Sequence, residues 1–385
     1  MRVLLVTEGS QGIAVQGHRM VGTRLESALA AGTGDVELRV RELGPMRRAA
    51  ALSVRELPCF RRWDLDLQPM RWQVVQAVRA RRVITRELTA WAPDVLYIHT
   101  HAAALTSADQ LERVPTVLSV DASLWAWRAM APDRRVMRYS TAALAPSLAL
   151  ERRVLRAAVM VQAWSEWAAR SVAAASPEAR VSVVHPGIDT RRYQPAPRIT
   201  CGRPRILFVG GRFEQKGGQL LLDVLRPALG QTVDVDVVTP ADVPARPGLR
   251  LHRLRSEDPK LVELFQQADL LCLPTRQDAS PWAVLEAMAC GTPVITSELA
   301  GIPEMVGDTG VLVPPGDRSE LALAINSSLA DPDRRKQLGA AARSRCVQRF
   351  DSRRQAGALS ELLRTAADTA PRPRQKSRRA RDRWR

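Results

Sequence analysis

The sequence has little cysteine, little lysine and no long apolar run. Its five cysteines lie far apart without a Cys-x-x-Cys pair, which is typical of neither a disulfide framework nor a zinc site. No apolar run approaches the ~18–20 residues of a membrane span, and the short run from Val3 to Val6 favours a buried strand over a signal peptide. These absences make a reducing cytoplasm the expected compartment.

The positive charge is unevenly distributed. Only four of the 57 basic residues are lysine, so codon bias of the genome contributes to the arginine content. Of the net charge of +17, residues 1–200 carry +10, residues 201–370 are neutral and residues 371–385 carry +7. Codon bias does not explain this asymmetry, which favours a polyanionic partner, either nucleic acid or an anionic membrane face.

A chain of 385 residues is expected to form two domains. Short β-branched apolar runs alternate with helix-compatible stretches, which is typical of parallel strands buried on both faces and separated by helices. We predict two Rossmann-like α/β domains at 1–195 and 203–350, a C-terminal helix at 351–370 and a basic disordered tail at 371–385. Strands are predicted at 2–7, 95–99, 116–120, 159–163, 181–185, 205–210, 233–238, 270–273, 294–296 and 311–313.

A glycine-rich turn follows the strand that ends at Val209. Glycines such as Gly211 let the backbone approach an anion, and the next helix N-terminus adds unpaired N–H groups and partial positive charge. Arg212 and Lys216 add full charges. The pattern predicts a phosphate cradle, although it matches neither a P-loop nor Gly-x-Gly-x-x-Gly, and a plain turn with a surface lysine is the alternative.

A second group of polar residues lies further along the chain. Ser280 as N-cap, Pro281 at the first helical position and Gly291 beyond the end predict a short helix. Asp278 then precedes this helix, and Glu286 lies in its second turn, roughly 9 Å further along the axis. Two carboxylates so spaced cannot share one metal or one proton, but they can bind hydroxyls at two ends of a ligand. A solvated Glu286 is the alternative.

These motifs together resemble the donor half of family-4 retaining glycosyltransferases with the GT-B fold. The likeness covers roughly residues 181–315, and it is looser upstream. It implies an α/β protein whose two Rossmann-like domains face a central cleft with their parallel sheets. The segments that carry it are Gly-Gly-Arg…Lys-Gly-Gly at 210–218, Asp-x7-Glu at 278–286 continuing as Ala-Met-Ala-Cys-Gly-Thr-Pro-Val-Ile, Gly-Ile-Pro-Glu at 301–304 and His-Pro-Gly-Ile-Asp at 185–189.

The resemblance implies a role for each residue of the two motifs. Arg212 and Lys216 would neutralise the donor diphosphate, Glu286 would accept from ribose hydroxyls, and Asp278 would bind the transferred sugar. Two positions depart from the family pattern. Asp278 stands where a glutamate is usual, and Asp121 stands where many members have a histidine in the first domain.

Other polar residues give weaker signals. Asp121 ends a predicted strand, where it orients the acceptor or the sugar, or only caps the following turn. The first strand-to-helix region closes over the donor phosphate or is a plain turn, and His99 and His101 face the cleft or the core. The catalytic candidates are Asp121, Lys216 and Arg212; the donor-binding candidates are Asp278, Glu286, Gly211, Gly12, His18 and His101.

The expected activity is transfer of a hexosyl group from a nucleotide-diphosphate sugar to a hydroxyl acceptor in bacterial polysaccharide or glycolipid synthesis. No metal or other cofactor is implied, because cationic side chains and helix termini can neutralise the leaving diphosphate. The Asp-x-Asp pairs at 64–66 and 234–236 are not expected to bind metal. A GT-B-like sugar-phosphate isomerase or phosphorylase and a basic nucleic-acid-binding protein are the alternatives.

The basic first half also suggests where the acceptor is met. Arginines and apolar residues are interleaved there, as at the surface of a protein that binds an anionic bilayer. We therefore expect a peripheral enzyme that glycosylates a lipid-linked acceptor at the cytoplasmic leaflet, the alternative being an arginine-rich protein of a GC-rich genome. The residues are Arg47, Arg48, Arg55, Arg61, Arg62, Arg71, Arg79, Arg81, Arg82 and Arg86, with Leu52, Val54, Leu57, Phe60, Trp63 and Trp72 among them.

Overall fold

Each half of the chain forms a six-stranded parallel sheet flanked by helices. The structure, a computed structural model, describes residues 1–7, 36–44, 46, 48–55, 68–130, 141–198 and 202–369. The predicted pair of Rossmann-like domains is therefore confirmed. The predicted basic tail at 371–385 lies outside the described residues.

The first sheet has the order β2-β1-β3-β4-β5-β6. Its central strands β3 and β4 are buried at every residue, because helices cover both faces of a parallel sheet. The strands are β1 (Arg2–Thr7), β2 (Glu37–Glu42), β3 (Val95–His99), β4 (Thr116–Val120), β5 (Met160–Ala163) and β6 (Val181–Val183).

The second sheet has the order β12-β11-β10-β7-β8-β9. Neighbours in this list are again parallel. The strands are β7 (Arg205–Val209), β8 (Asp234–Val238), β9 (Leu249–His252), β10 (Leu270–Leu273), β11 (Val294–Ser297) and β12 (Val311–Val313).

Helices connect the strands and cover both sheets. Within the described segments, none of them is both long and apolar enough to cross a membrane. They are α1 (Arg48–Ser53), α2 (Gln68–Ala90), α3 (His101–Ala104), α4 (Ala108–Leu111), α5 (Leu124–Ala129), α6 (Thr141–Ala157), α7 (Glu166–Ala175), α8 (Gly218–Leu225), α9 (Pro259–Gln267), α10 (Trp282–Ala289), α11 (Ile302–Val306), α12 (Arg318–Ala330), α13 (Pro332–Phe350) and α14 (Ser352–Ala367).

The last helix, α14, returns to the first sheet. Its apolar residues, including Leu359 and Leu363, pack in one buried cluster with Val3, Leu5 and Tyr97 of β1 and β3. Asp351 ends α13, and its side chain accepts from the backbone N–H of Arg353 to cap α14. The helix predicted at 351–370 is thus present, and it completes the core of the first half of the chain.

The carboxyl ends of the two sheets meet at a central cleft. Trp164, which follows β5, contacts Trp282 of α10 edge to face, with ring centroids 5.9 Å apart. Nearby, the backbone N–H of Glu166 donates to Glu304 Oε2 at 2.8 Å. These contacts bring the residues that follow the strands of one domain against those of the other.

Candidate active site

The glycine-rich turn and the Asp278 loop lie on either side of one point in the second sheet. The turn follows β7 and the Asp278 loop follows β10, and these two strands are neighbours although β8 and β9 separate them in sequence. The strand order reverses here, so the loops diverge and leave a crevice at the carboxyl ends. Open α/β sheets bind their ligands at such crevices.

Gly217 lets these two loops touch through their backbones. Its φ of +80° lies in the left-handed region, and a Cβ there would overlap the carbonyl oxygen of Pro274. Gly217 is also the N-cap of α8. Only glycine suits this position at low cost, because it tolerates a positive φ and has no Cβ to overlap the Pro274 carbonyl.

Lys216 and Asp278 form an ion pair across the crevice. The Lys216 ammonium donates to Asp278 Oδ2, while Oδ1 accepts from the backbone N–H of Ser280 at 3.2 Å. Both side chains are mostly shielded from solvent. The two residues predicted to bind different parts of the donor therefore lie side by side.

Arg212 occupies the same turn. Its Nη1 donates to Gln215 Oε1 at 2.8 Å. Partial burial lowers the pKa of the Arg212 guanidinium from its ordinary value. Arginine has so high an ordinary pKa that its side chain is charged in proteins. Two cations, Arg212 and Lys216, thus stand beside the N-terminus of α8. Gly211, which was predicted to contribute to donor binding, is exposed at the start of this turn.

Glu286 lies in the second turn of α10 and is only 4% exposed. The predicted alternative of a solvated helix residue is therefore wrong. Because the carboxylate is removed from water, hydrogen bonds that it accepts are stronger than at the surface. The helix starts one residue later than predicted: the N-cap is Pro281 instead of Ser280, and no side chain caps this end.

The first-domain candidates follow two adjacent strands. Asp121 comes directly after β4 and is half-buried. His99 ends β3, where its Nδ1 lies 3.0 Å from Ser119 Oγ and its ring stacks on Trp164. His101 is buried in α3, and its Nε2 lies 3.1 Å from Glu151 Oε1. Both histidines thus have partners inside their own domain, and the roles assigned to them and to Asp121 stay predictions.

The remaining residues of the sequence analysis are the first strand-to-helix region and the two Asp-x-Asp pairs. Gly12 and His18, together with Asp64 and Asp66, lie outside the described residues. Asp236 of the other Asp-x-Asp pair accepts from Arg250 Nε at 2.8 Å and lies 2.7 Å from His252 Nε2. These contacts lower the pKa of its carboxyl against the opposing effect of burial.

Two glutamines of the site were not predicted. Gln215 Nε2 donates to Gln277 Oε1 at 2.9 Å, so the two loops are also joined next to the ion pair. Gln277 is 3% exposed. Its place beside Asp278 is the one sequence signal that could have pointed to it, because a glutamine between polar residues otherwise indicates a surface loop.

Comparison with known proteins places both halves in one class. The model of Glycosyltransferase Family 4 matches residues 19–192, and the model of Glycosyl transferases group 1 matches residues 203–331. The architecture is that of GT-B glycosyltransferases, with the two sheets facing a cleft. The chain belongs to the family-4 glycosyltransferases.

The curated relatives match over part of their length. The α-maltose-1-phosphate synthase of Mycolicibacterium smegmatis is 32% identical over 208 residues, which are 44% of this chain and 53% of the relative. The D-inositol 3-phosphate glycosyltransferase of Streptomyces bingchenggensis is 29% identical over 48% of each chain. The chain therefore spans about half the length of the curated relatives it matches.

Solved structures match over nearly the whole chain. Sucrose-phosphate synthase from Thermosynechococcus elongatus superposes with a TM-score of 0.72 at 18% identity, covering 94% of this chain and 98% of the other. HepE from Anabaena, solved with UDP and glucose, gives 0.67 at 17% identity, covering 95% and 100%. These likenesses establish the fold.

The contact at Gly217 leads to a first prediction. Replacing Gly217 by Ala should lower the free energy of unfolding by at least about 2 kcal/mol more than replacing Gly202, because the new methyl group overlaps the Pro274 carbonyl. Gly202→Ala is the matched control, since Gly202 has a φ of +86° but open space around it. Urea unfolding followed by circular dichroism compares the two variants. Equal losses would mean that the backbone contact imposes no constraint.

Proposed function

We propose that the protein is a retaining glycosyltransferase that transfers a hexosyl group from a nucleotide-diphosphate sugar to a hydroxyl acceptor. The observation that carries the proposal is the meeting of Lys216, Arg212 and Asp278 at the crevice of the second sheet. Family membership supports the reaction class. The HepE structures, solved with UDP and glucose and with UDP-glucose, support the donor class.

The two cations would stabilise the leaving group. As the bond between the anomeric carbon and the diphosphate oxygen breaks, its electron pair goes to that oxygen and negative charge grows there. Arg212 and Lys216, with the N–H groups at the start of α8, would meet this charge. A diphosphate would compete with Asp278 for Lys216 and release that carboxylate for hydroxyls of the sugar. In this mechanism no metal is required at the diphosphate.

The other carboxylates would position the substrates. Glu286, buried in α10, would accept hydrogen bonds from the ribose hydroxyls of the donor. Asp121, at the end of β4, would orient the acceptor or the sugar. The acceptor oxygen would bond to the anomeric carbon on the face that the diphosphate leaves, and its proton would pass to a donor phosphate oxygen. We assign no enzyme nucleophile.

The positions of the lysines bear on the phosphorylase alternative. Lys260 and Lys336 are exposed on α9 and α13. A lysine that holds pyridoxal phosphate needs an enclosed site, so neither supports that function.

A surface of the first half supports the proposal of a lipid-linked acceptor. Arg48, the first residue of α1, and Arg55, two residues beyond its end, are exposed, and Leu52 between them is 64% exposed. We call these three residues the α1 patch. Arginine side chains bind anionic headgroups, and an exposed leucine can insert among acyl chains. The α1 patch therefore supports peripheral binding at the inner face of the cell membrane.

Three other arginines expected to bind the membrane have contacts within the chain. Arg71 donates to the carbonyls of Ser53 and Arg55, and Arg81 pairs with Asp109. Arg79 donates to Gly44 O. Val54 is buried, so its expected place among the inserting residues is wrong. Residues 47 and 56–67 lie outside the described part of the chain.

The donor site is tested by two substitutions. Lys216→Ala should lower kcat more than it weakens nucleotide affinity, because the charge that Lys216 meets grows in the transition state. Glu286→Gln should mainly weaken donor binding, by roughly 1.5–3 kcal/mol for a lost charge-assisted hydrogen bond. The assay uses the nucleotide sugar that most raises the melting temperature in a panel, and exposed Lys260→Ala is the control. Near-wild-type kinetics in both site variants would remove the assignment.

Metal independence gives a separate prediction. Enzyme stripped with EDTA should retain its transfer activity, because Arg212 and Lys216 supply the positive charge that a divalent ion would otherwise provide at the diphosphate. The rate is measured before and after chelation. Loss of activity that Mg²⁺ or Mn²⁺ restores would contradict the proposed mechanism.

Membrane binding is tested by co-sedimentation with liposomes. Neutralising the α1 patch by Arg48→Gln, Arg55→Gln and Leu52→Ser should weaken binding to phosphatidylglycerol vesicles about tenfold or more, at roughly 1 kcal/mol per arginine. The control changes Arg353, Arg354 and Leu323 in the same way, since these residues are also exposed. Binding should weaken with salt. Equal binding to neutral and anionic vesicles, or equal losses in both triple variants, would mean that the α1 patch does not face a membrane.

A further inference from the structure

A chain of side-chain hydrogen bonds crosses the cleft from the glycine-rich turn to helix α5. Arg212 Nη1 donates to Gln215 Oε1 at 2.8 Å, and Gln215 Nε2 donates to Gln277 Oε1 at 2.9 Å. Gln277 Nε2 then donates to the carbonyl of Trp127 at 3.3 Å. Since Trp127 belongs to α5, the chain joins the second domain to the first.

Each link donates in the same direction. The Arg212 guanidinium donates at one end, and the Trp127 carbonyl in the last turn of α5 accepts at the other. Between them, the side-chain amide of each glutamine accepts with its oxygen and donates with its nitrogen. Bonds aligned in this way polarise and strengthen one another in a low-dielectric interior. Gln277, the third of the four residues, is also the most buried of them.

The backbone holds both glutamines in place. Arg276 N donates to Gln215 O at 2.9 Å, which fixes the glycine-rich turn against the Asp278 loop. A displacement of Arg212 or Gln215 would therefore be passed to Gln277 rather than absorbed by a flexible loop.

Helix α5 is attached to the acceptor side of the cleft. It begins three residues after Asp121, and its first N–H, that of Leu124, donates to Glu151 Oε1 at 2.7 Å. Ser123 caps the helix by accepting from Ala126 N at 3.3 Å. The position of α5 consequently determines where the loop that carries Asp121 lies.

We propose that Gln277 is a positioning residue that couples occupancy of the diphosphate site to the position of α5. The proposal rests on the proposed function, in which Arg212 binds the donor diphosphate. A bound diphosphate would hold Arg212 and Gln215 in one arrangement, so that the bond from Gln277 to Trp127 would be formed for more of the time and the Asp121 loop would be ordered. Coupling of two sites is reciprocal, so an acceptor bound beside α5 would also favour the donor.

Hydrogen exchange measured by mass spectrometry tests this coupling. The full-length chain and its Gln277→Glu variant are compared with and without UDP. Glutamate keeps an oxygen to accept from Gln215 but has no N–H for Trp127. Without nucleotide, the variant should exchange the amides of α5 about three- to tenfold faster than the wild type, as expected for one lost hydrogen bond. UDP should slow exchange in α5 of the wild type and leave α5 of the variant unchanged.

A matched control separates this link from a general effect of the substitution. Gln267 Nε2 donates to the carbonyl of Pro197 at 3.0 Å, away from the cleft. Gln267→Glu removes the same kind of bond and should leave exchange in α5 as in the wild type. Where Gln277→Glu does not fold, Gln277→Met removes the bond without adding charge.

The outcomes distinguish the coupling from the proposed function. If UDP binds by calorimetry but slows exchange in α5 equally in the wild type and the Gln277 variant, the coupling is wrong and the donor site stands. Equal exchange without nucleotide would likewise refute the link to α5. If neither UDP, GDP nor ADP binds the wild type, the proposed donor site fails and the coupling fails with it.

Discussion

The contact between the Gly217 backbone and the Pro274 carbonyl is the constraint on which the site depends. It aligns the turn after β7 with the loop after β10, so that two pairs of residues, each 62 positions apart in sequence, face one another. One pairing is the ion pair of Lys216 with Asp278, and the other is the amide pair of Gln215 with Gln277. This one contact between two backbones thus positions both the ion pair of the crevice and the hydrogen bonds that lead from Gln277 to the first domain.

The arginines of this protein serve two physical purposes. Some are exposed and give the first half its positive field. Others bind backbone carbonyls where segments end: Arg343 of α13 donates to the carbonyls of Thr190, Tyr193 and Ala289, and so joins the segment after β6 to α10 and α13. A planar guanidinium with five donors suits this task better than an ammonium does. Part of the arginine content is therefore structural, in addition to any genomic bias or anionic partner.

The sequence predicted the interior of the fold better than its edges. The ten predicted strands are all present, and the central ones were the easiest to predict because strands buried on both faces appear as continuous apolar runs. Two described strands, β2 and β9, were not predicted. Each lies at one edge of its sheet, where charged or polar residues alternate with apolar ones in Glu-Leu-Arg-Val-Arg-Glu and Leu-Arg-Leu-His. In the site, the motifs predicted the turn and the carboxylates. The role of Gln277 depends on a contact 150 residues away, which no local pattern contains.

The return of α14 to the first sheet has a consequence for synthesis of the chain. A domain usually folds as its residues leave the ribosome, in order from the N-terminus. Here β1 and β3 emerge early, but the apolar residues that cover one of their faces belong to α14 and emerge only after the whole second sheet has been made. The apolar surface of β1 and β3 that α14 covers therefore stays uncovered by this helix until the second domain has been synthesised, and the two ends of the described chain must meet after both sheets exist.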